Sequence, residues 1–335
     1  MKCFLAFTCV LFAAVAVRTE DAKPSGSKKI LPKGAVLEEI WNEGEFTEGV
    51  AVAPDGGIYF SDISFSAEKP GRIMKFNPKT GKVTVHCADS KKSNGLMFDG
   101  KDRLLAACGA HKGAQAVCEI TPDGKVRPIA GKYMGKRFNS PNDLVVLSDG
   151  TIYFSDPRYV GEEPIEIDHM SVYRVDPNGK VTRVTTDIQK PNGVNVSPDG
   201  KTLYVAETNN GSTDVTKKDP NTKVGRMTLN AFPIKSDGSL GKKRTLVNFG
   251  KEVGTDGMTV DSKGNIYAAV RADSKHGIIV YTSKGKELAY IPTTELPTNC
   301  CFGKGDDAKT LYVTSGKGLY RIKLNIEGNH SSAKK

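Results

Sequence analysis

One pattern recurs six times along this chain: a polar residue, a short apolar strand, a Gly/Asp turn and a second short strand. Further strand pairs with alternating apolar residues lie between these hairpins, for example at 71–87 and 171–185. A unit of four short strands that repeats about every 45 residues is typical of a propeller blade. Windows with helical periodicity are nearly absent. The sequence therefore predicts an all-β fold, a six-bladed β-propeller with four antiparallel strands in each blade.

The last repeat is one strand short of a blade, because the chain ends soon after TLYVTS and GLYRIKLN. The segment 36–41 has no hairpin partner in its own unit. We expect this N-terminal strand to complete the sixth blade and close the ring, which removes an open sheet edge. One repeat carries a polar, turn-rich insertion at 207–226, which we expect to be a loop over one face. It either shapes access to a site or has no functional part.

The first residues differ in character from the repeats. Residues 1–16 contain an early lysine, an apolar stretch and small residues at Ala14 and Ala16, which predicts a signal peptide. An uncleaved membrane anchor is the alternative, although the apolar stretch is shorter than a spanning helix needs. We expect the mature protein to be a secreted or periplasmic monomer without membrane contact. The predicted organisation is signal peptide, polar linker, propeller and flexible tail, at 1–16, 17–35, 36–326 and 327–335.

Charge and cysteine content restrict the partners. A formal net charge of +10 raises nucleic acid as a candidate, but the lysines are dispersed over turns, and we expect no nucleic-acid binding. Five cysteines follow the predicted signal peptide, and an odd number leaves at least one without an intramolecular partner. Cys108 and Cys118 flank a predicted hairpin and would pair only if they lie directly opposite each other; buried free thiols are the alternative.

The polar residue that opens each repeat is the candidate functional position. The innermost strands of a propeller line its central channel, so residues at one register converge on a ring. Such a ring of side-chain oxygens suits Ca²⁺, which takes six to eight oxygen ligands, better than Mg²⁺ with its strict octahedral geometry. Zinc or copper would call for His or Cys. The six ring residues are Glu48, Asn94, Asn142, Asn192, Asp256 and Asn299.

Two of these residues, Glu48 and Asp256, would repel each other when buried, unless a divalent cation neutralised both. The alternative is that the Asn-Gly, Asn-Asp and Asp-Gly pairs are simply turn dipeptides before a strand. Six occurrences at one register, with a glutamate in the first, favour the metal ring. The polar pairs Ser61-Asp62 and Ser155-Asp156, at the ends of second strands, are interpreted as structural hydrogen-bonding positions.

Four segments carry a family resemblance: TEGVAVAPDGGIYFSD, GKRFNSPNDLVV, KPNGVNVSPDGKTLYVAET and TDGMTV. With them the chain resembles the regucalcin (senescence marker protein)/gluconolactonase family of calcium-dependent propeller hydrolases, from about Val36 to Leu324. Paraoxonase and diisopropyl fluorophosphatase are more distant relatives. The resemblance implies a catalytic divalent metal held by Glu48, Asn192 and Asp256. It places Asn142 beside the metal, in contact with it or with the substrate.

The resemblance also implies roles outside this set. Arg137 is similar to an arginine that binds substrate hydroxyls in the sugar-lactonase branch. His111 lies roughly where paraoxonase-like lactonases carry a catalytic histidine, and a surface histidine in a loop is the alternative. Asn94 and Asn299, the other two ring residues, are candidate substrate-binding residues.

The resulting hypothesis is a secreted calcium-dependent lactonase or esterase that acts on a small lactone or ester. Ca²⁺, or another divalent cation, would polarise the carbonyl and stabilise the oxyanion. Asp256 would orient or deprotonate the attacking water, with His111 as the alternative base. A serine esterase is disfavoured because there is no GxSxG motif. The alternatives are a non-catalytic ligand-binding propeller with a structural Ca²⁺, and an organophosphate or aryl-ester hydrolase that uses the same site.

Overall fold

The computed structural model describes residues 23–217 and 222–332, so the predicted signal peptide at 1–16 lies outside the described residues. The described residues form six large antiparallel sheets and one two-stranded hairpin, and the first strands of the six large sheets contact one another around a central channel. This confirms the predicted six-bladed β-propeller. The described residues contain no α-helix, and none of their helical segments is long and apolar enough to cross a membrane.

The first three blades follow the chain order of the repeats, and each runs from the channel outwards. Blade one contains Thr47–Val52, Ile58–Asp62, Arg72–Asn77 and Lys82–Cys87. Blade two contains Ser93–Phe98, Leu104–Cys108, Ala116–Ile120 and Val126–Ala130. Blade three contains Leu144–Val146, Ile152–Asp156, Ser171–Val175 and Val181–Thr185. A small hairpin between blades two and three pairs Lys132–Tyr133 with Lys136–Arg137.

The last three blades have the same order, with one exception in blade six. Blade four contains Pro191–Val196, Thr202–Thr208, Met227–Pro233 and Arg244–Asn248. Blade five contains Thr255–Val260, Ile266–Val270, Gly277–Tyr281 and Glu287–Pro292, with Ser25–Gly26 at its outer edge. Blade six contains Pro297–Phe302, Thr310–Ser315, Gly318–Lys323 and, from the start of the chain, Glu38–Trp41. A single 3₁₀ turn, Gly305–Asp307, precedes its second strand.

The ring is closed by the N-terminal strand, as the sequence predicts. Glu38 lies opposite Arg321 in an antiparallel pair, and the Nε of Arg321 donates to Glu38 at 2.9 Å. Trp41 then packs edge-on against Phe60 of blade one, with 5.3 Å between ring centroids. The strand therefore completes blade six and joins it to blade one.

Burial decreases from the channel outwards, which explains the alternation of strand types in the sequence. The second strands Ile58–Asp62 and Ile152–Asp156 are buried along their whole length, because each is covered by a neighbouring blade on both faces. Such strands read as nearly continuous apolar runs. The fourth strand of blade one, Lys82–Cys87, is mostly exposed or half-buried. The hydrophobic core is thus divided into layers between adjacent blades.

The segment before the propeller is not a free linker over its described part. Ser25 pairs with Tyr290 at the edge of blade five, and Ile30 and Leu31 are buried in the layer between blades five and six. The polar composition of 17–35 concealed this short apolar pair. The part of the predicted linker before residue 23 lies outside the described residues.

The C-terminal residues are also packed rather than free. Gly328 forms a bridge with Asp261, and the Oγ of Ser331 donates to the carbonyl of Val146 at 2.8 Å. Ser332 is buried. The segment 328–332 therefore lies packed across one end of the channel, whereas the sequence predicts a flexible tail over 327–335.

All five cysteines among the described residues are free thiols. In blade two Cys108 lies opposite Ala116, whereas Cys118 lies opposite Ala106. The two cysteines are therefore not directly opposite each other, and the condition stated above for their pairing is not met. Both are buried with Cys87 in the apolar layer between blades one and two.

Candidate functional site

Irregular strand pairing turns the ring residues towards the channel. In blades two, four and five the pairing between the first two strands skips two positions, which are a ring residue and the glycine that follows it. A bulge of this kind re-aims a side chain away from the sheet. The skipped ring residues are Asn94, Asn192 and Asp256. In blade one the shift comes just after Glu48.

The glycines that follow the ring residues are required by close approach between blades. A Cβ on Gly49, which has φ +39°, would lie 1.8 Å from the carbonyl oxygen of Asn94. A Cβ on Gly257 would lie 2.2 Å from the side chain of Asn299. The Glu-Gly and Asp-Gly pairs are therefore not turn dipeptides in this fold, because they are the points where neighbouring inner strands meet.

Five of the six ring residues line one cavity of about 350 Å³ at one end of the channel, which we call the upper cavity. Glu48, Asn192 and Asp256 are buried at its floor, while Asn94 and Asn142 are half-buried. The metal-site residues predicted from the sequence are thus brought together. The five residues are Glu48, Asn94, Asn142, Asn192 and Asp256.

The structure does not bring Asn299 or Arg137 to the upper cavity. Asn299 stays paired with Thr314 and accepts a hydrogen bond from the backbone N–H of Cys300, so it lines a smaller cavity of about 70 Å³ at the other end, the lower cavity. Arg137 lies on the small hairpin, where its Nε donates to Glu166 at 2.6 Å. Neither residue is positioned to contact a molecule in the upper cavity, which corrects their predicted role in substrate binding.

The two floor carboxylates are electrostatically costly. Burial, and next the negative charge of Asp256, raise the pKa of Glu48 well above its usual range. Burial also raises the pKa of Asp256, and the guanidinium of Arg271 opposes that rise. The Nη1 of Arg271 donates to the Oδ2 of Asp256 at 2.6 Å. With both carboxylates ionised, the three groups carry one net negative charge.

The donor set fits a hard divalent cation. The described residues contain no group of three His, Cys, Asp or Glu side chains arranged for a metal, so a cation here would need amide oxygens in addition to Glu48 and Asp256. Asn142 and Asn192 lie on the same cavity and supply that ligand type. Oxygen donors of this kind favour Ca²⁺ over zinc or copper.

Sequence reasoning missed Arg271 and Asp143. Arg271 follows the second strand of blade five and has no counterpart in the repeat pattern, so nothing in the sequence marks it as inward-facing. Asp143 follows Asn142 and accepts hydrogen bonds from the N–H groups of Leu144 and Val194, at 2.9 and 3.0 Å. Burial raises the pKa of Asp143 to about 7. The sequence did contain a signal for Asp143, because it stands directly after a ring residue, where four of the other repeats have glycine.

Tyr159 and Lys190 form a second group that the sequence did not reveal. Tyr159 lines the upper cavity, and its hydroxyl donates to the carbonyl of Thr208 at 2.9 Å. The Nζ of Lys190 lies 3.9 Å from the centroid of the Tyr159 ring. Burial lowers the pKa of Lys190 to about 7. This pair fixes one wall of the cavity.

His111 lies at the rim of the upper cavity. Its Nε2 is 2.9 Å from the carbonyl oxygen of Phe65, and since a carbonyl only accepts, this nitrogen carries the proton. The neutral ring then keeps Nδ1 as an acceptor. The backbone N–H of His111 also donates to Glu163 at 3.1 Å, so the residue joins two loops of the rim.

The long insertion of blade four reaches the same rim. Asn210 and Val215 line the upper cavity, and the backbone N–H of Val215 donates to the carbonyl of Tyr159 at 2.7 Å. Of the two roles considered for 207–226, its position favours shaping access to the cavity.

The polar pairs at second-strand ends are structural, as interpreted: Asp62 accepts a hydrogen bond from the N–H of Glu45 at 2.7 Å.

Comparisons with known proteins agree with this architecture. A family model described as "SMP-30/Gluconolactonase/LRE-like region" matches residues 46–317. A gluconolactonase of Zymomonas mobilis is 29% identical, over 89% of this chain and 84% of its own length. A pentonolactonase of Haloferax volcanii is 27% identical, over 81% of each chain.

Solved structures show the same similarity. A gluconolactonase from Xanthomonas campestris superposes with a TM-score of 0.76 at 28% identity, covering 90% of this chain and 95% of that one. A calcium-binding regucalcin from Agrobacterium tumefaciens gives a TM-score of 0.66 at 22% identity, covering 88% and 95%, and shares the fold.

Proposed function

This chain belongs to the SMP-30/Gluconolactonase/LRE-like family, and from that premise we propose that it hydrolyses a small lactone or ester with a bound Ca²⁺. The observation that carries the proposal is the floor of the upper cavity. There two buried carboxylates and two amide side chains meet, in a chain whose relatives are named lactonases. The residues that would hold the ion are Glu48, Asn142, Asn192 and Asp256.

The chain's own residues divide the remaining work. A bound Ca²⁺ supplies Lewis-acid polarisation of the substrate carbonyl and charge for the oxyanion. Arg271 favours the ionised form of Asp256, because its guanidinium opposes the rise in pKa that burial causes. Asp256 accepts a hydrogen bond from the attacking water and orients it. His111, whose Nδ1 is left as an acceptor, is the alternative proton acceptor at the rim.

We further propose that the protein is exported, on the strength of the pattern at 1–16. Mass spectrometry of the N-terminus of protein recovered from the periplasm or the medium tests this. A protein that starts after residue 16 supports export, and an intact N-terminus on cytosolic protein contradicts it.

The activity is tested with a panel of lactones and aryl esters, with saturating Ca²⁺ and with a chelator. We expect turnover that depends on Ca²⁺ and falls by at least about a hundredfold in Asp256→Asn, together with loss of Ca²⁺ binding in calorimetry. Asp99→Asn is the matched control, because Asp99 is a buried carboxylate that pairs with Arg103 at 2.7 Å and does not line the cavity. Full turnover by the wild type in chelator would refute the metal-assisted reaction. Ca²⁺ binding without any turnover would instead support a binding module.

A further inference from the structure

The wall of the upper cavity above the ring is apolar. Three of its side chains, Phe65, Val215 and Leu296, are 40%, 44% and 37% exposed at the mouth. Large apolar side chains grouped around an opening mark a surface that binds an apolar partner. The apolar wall consists of Phe46, Ile63, Phe65, Val160, Val215, Val253 and Leu296.

Two polar residues that line the cavity beside this wall, Lys92 and Ser64, bond to groups of the chain itself. The Nζ of Lys92 donates to the carbonyls of Ser64 and Ser66 at 2.8 and 2.7 Å, and also to that of Lys69. The Oγ of Ser64 donates to Glu45 at 2.7 Å. The ammonium group of Lys92 therefore holds a rim loop in place and has no N–H left to donate to a ligand.

The opposite side of the wall follows the same rule. The hydroxyl of Tyr159 donates to the carbonyl of Thr208, and the Oγ1 of Thr208 donates to the carbonyl of Thr255 at 2.6 Å. The Oδ1 of Asn210 accepts from the Nζ of Lys190 at 2.6 Å. These bonds occupy the hydroxyl protons of Tyr159 and Thr208 and hold the wall in place.

Free polar groups lie at the floor and at the exposed rim, where, among the described residues, the carboxylate of Asp273 and the Nδ1 of His111 have no hydrogen-bond partner. Among the described residues Arg271 makes one side-chain hydrogen bond, from Nη1 to Asp256, so its other donors are available. The side-chain amides of Asn94 and Asn142 form no hydrogen bond with a described residue. The cavity therefore offers polar groups to a carbonyl at the floor and an apolar surface to whatever extends above it.

We infer that the substrate of the proposed hydrolysis, on which this inference rests, is a lactone or ester with an alkyl or aryl substituent rather than a polyhydroxylated sugar lactone. Ring hydroxyls placed against this wall would lose their bonds to water without gaining partners. An apolar substituent gains free energy from burial there. This differs from what the names of the gluconolactonase relatives would suggest.

The first test compares substrates with the same ring size in saturating Ca²⁺. We expect kcat/KM for δ-decalactone to exceed that for glucono-δ-lactone by at least about tenfold, because the alkyl chain lies on the apolar wall. Equal or better use of glucono-δ-lactone overturns the inference.

The second test adds hydroxyl groups to the wall without changing its volume much. The triple variant Val160→Thr, Val215→Thr and Val253→Thr changes three lining residues and should raise KM for δ-decalactone about tenfold, with little change for glucono-δ-lactone. The matched control is Val36→Thr with Val224→Thr, two exposed valines outside the cavity. An unchanged KM in the triple variant contradicts the inference. If the triple variant does not fold, Val215→Thr alone, at the exposed mouth, should show a smaller shift in the same direction.

A binding measurement separates this inference from the proposed activity. Lactams of the two substrates are not hydrolysed as lactones are, so calorimetry with the wild type measures the cavity's preference directly. Tighter binding of the alkyl lactam supports the inference even if no lactone is turned over, in which case only the proposed hydrolysis fails. Tighter binding of the sugar lactam, or binding of neither, overturns it.

Discussion

The two ends of the central channel are formed by the same inner strands, yet they are finished in opposite ways. At the upper end the ring residues face an open cavity of about 350 Å³. At the lower end the cavity is about 70 Å³, and the segment 328–332 lies across it. One end of the propeller can admit a small molecule, and the other is filled by the chain's own terminus.

The difference lies in how polar groups are satisfied. At the lower end the N–H of Asn329 donates to the carbonyl of Val260 at 2.9 Å, and the Nε2 of His330 donates to that of Gly303 at 3.2 Å. At the upper end Glu48 and Asp256 share a single cationic partner, Arg271. Polar groups that lack partners within the chain are available to a ligand, so substitutions at the upper end should change binding and those at the lower end should change stability.

The largest effect is expected from Glu48→Gln. It removes one of two floor carboxylates, so we expect Ca²⁺ affinity and lactone turnover to fall at least about a hundredfold. Calorimetry and steady-state kinetics measure both. The matched control is Glu207→Gln: Glu207 is also buried, but it pairs with Arg226 at 2.8 Å and should affect stability only. An equal loss of Ca²⁺ affinity in both variants would contradict the assignment of Ca²⁺ binding to the floor of the upper cavity.

A smaller effect of opposite sign is expected from Arg271→Met. The substitution removes the positive charge beside Asp256. With both carboxylates ionised by a bound cation, the floor then carries two negative charges rather than one, so we expect Ca²⁺ to bind about tenfold more tightly. Turnover should fall, because a donor at the floor is lost. Arg103→Met, which removes a guanidinium paired with Asp99 away from the cavity, should leave Ca²⁺ affinity unchanged. Weaker Ca²⁺ binding in Arg271→Met would show that the arginine supports the ion instead of competing with it.

The smallest effect concerns the lower end and appears only as a pH dependence of stability. Burial lowers the pKa of His330 to about 4, so the folded protein favours the neutral ring. The neutral ring contributes fully to the free energy of unfolding above the ordinary histidine pKa of about 6.5. This contribution, on the order of 1–3 kcal/mol, is lost as the pH falls towards 4. Between pH 7 and 4.5 the free energy of unfolding, measured with urea, should therefore fall more for the wild type than for His330→Gln.

The same variant provides the control for the upper end. At pH 7.5 we expect His330→Gln to hydrolyse lactones within about twofold of the wild type, since the segment 328–332 lies at the opposite end of the channel. A large loss of turnover would mean that the two ends are coupled.

The repeat made most of the fold and five of six ring positions predictable, because a common register places equivalent residues on a common axis. It failed at Asn299, where the pairing shift lies one residue earlier and no glycine follows. Cys300 occupies that position, and Asn299 remains in the ladder opposite Thr314. Sequence register identifies the position of a residue along a strand, but the location of a bulge decides where its side chain points.

Features that occur once were the ones that sequence reasoning missed. Arg271 has no counterpart in other blades, and Arg137 lies on a small hairpin that interrupts the repeat between blades two and three. Two apolar residues, Ile30 and Leu31, within a polar stretch gave too weak a signal to indicate burial. Each depends on contacts between segments far apart in the chain, which a local pattern does not contain.

Closure of blade six has a consequence for how the protein is made. The ion pair between Glu38 and Arg321 joins residues 283 positions apart. A ribosome that adds about 5–20 residues per second needs roughly 15–60 s to synthesise that stretch. Throughout this time Glu38–Trp41 has no partner strand, and blade six cannot be assembled. The propeller therefore becomes a closed ring only after Gly318–Lys323 has been synthesised. A ribosome that stalls before Gly318 leaves the strand Glu38–Trp41 unpaired and open to pairing with other chains.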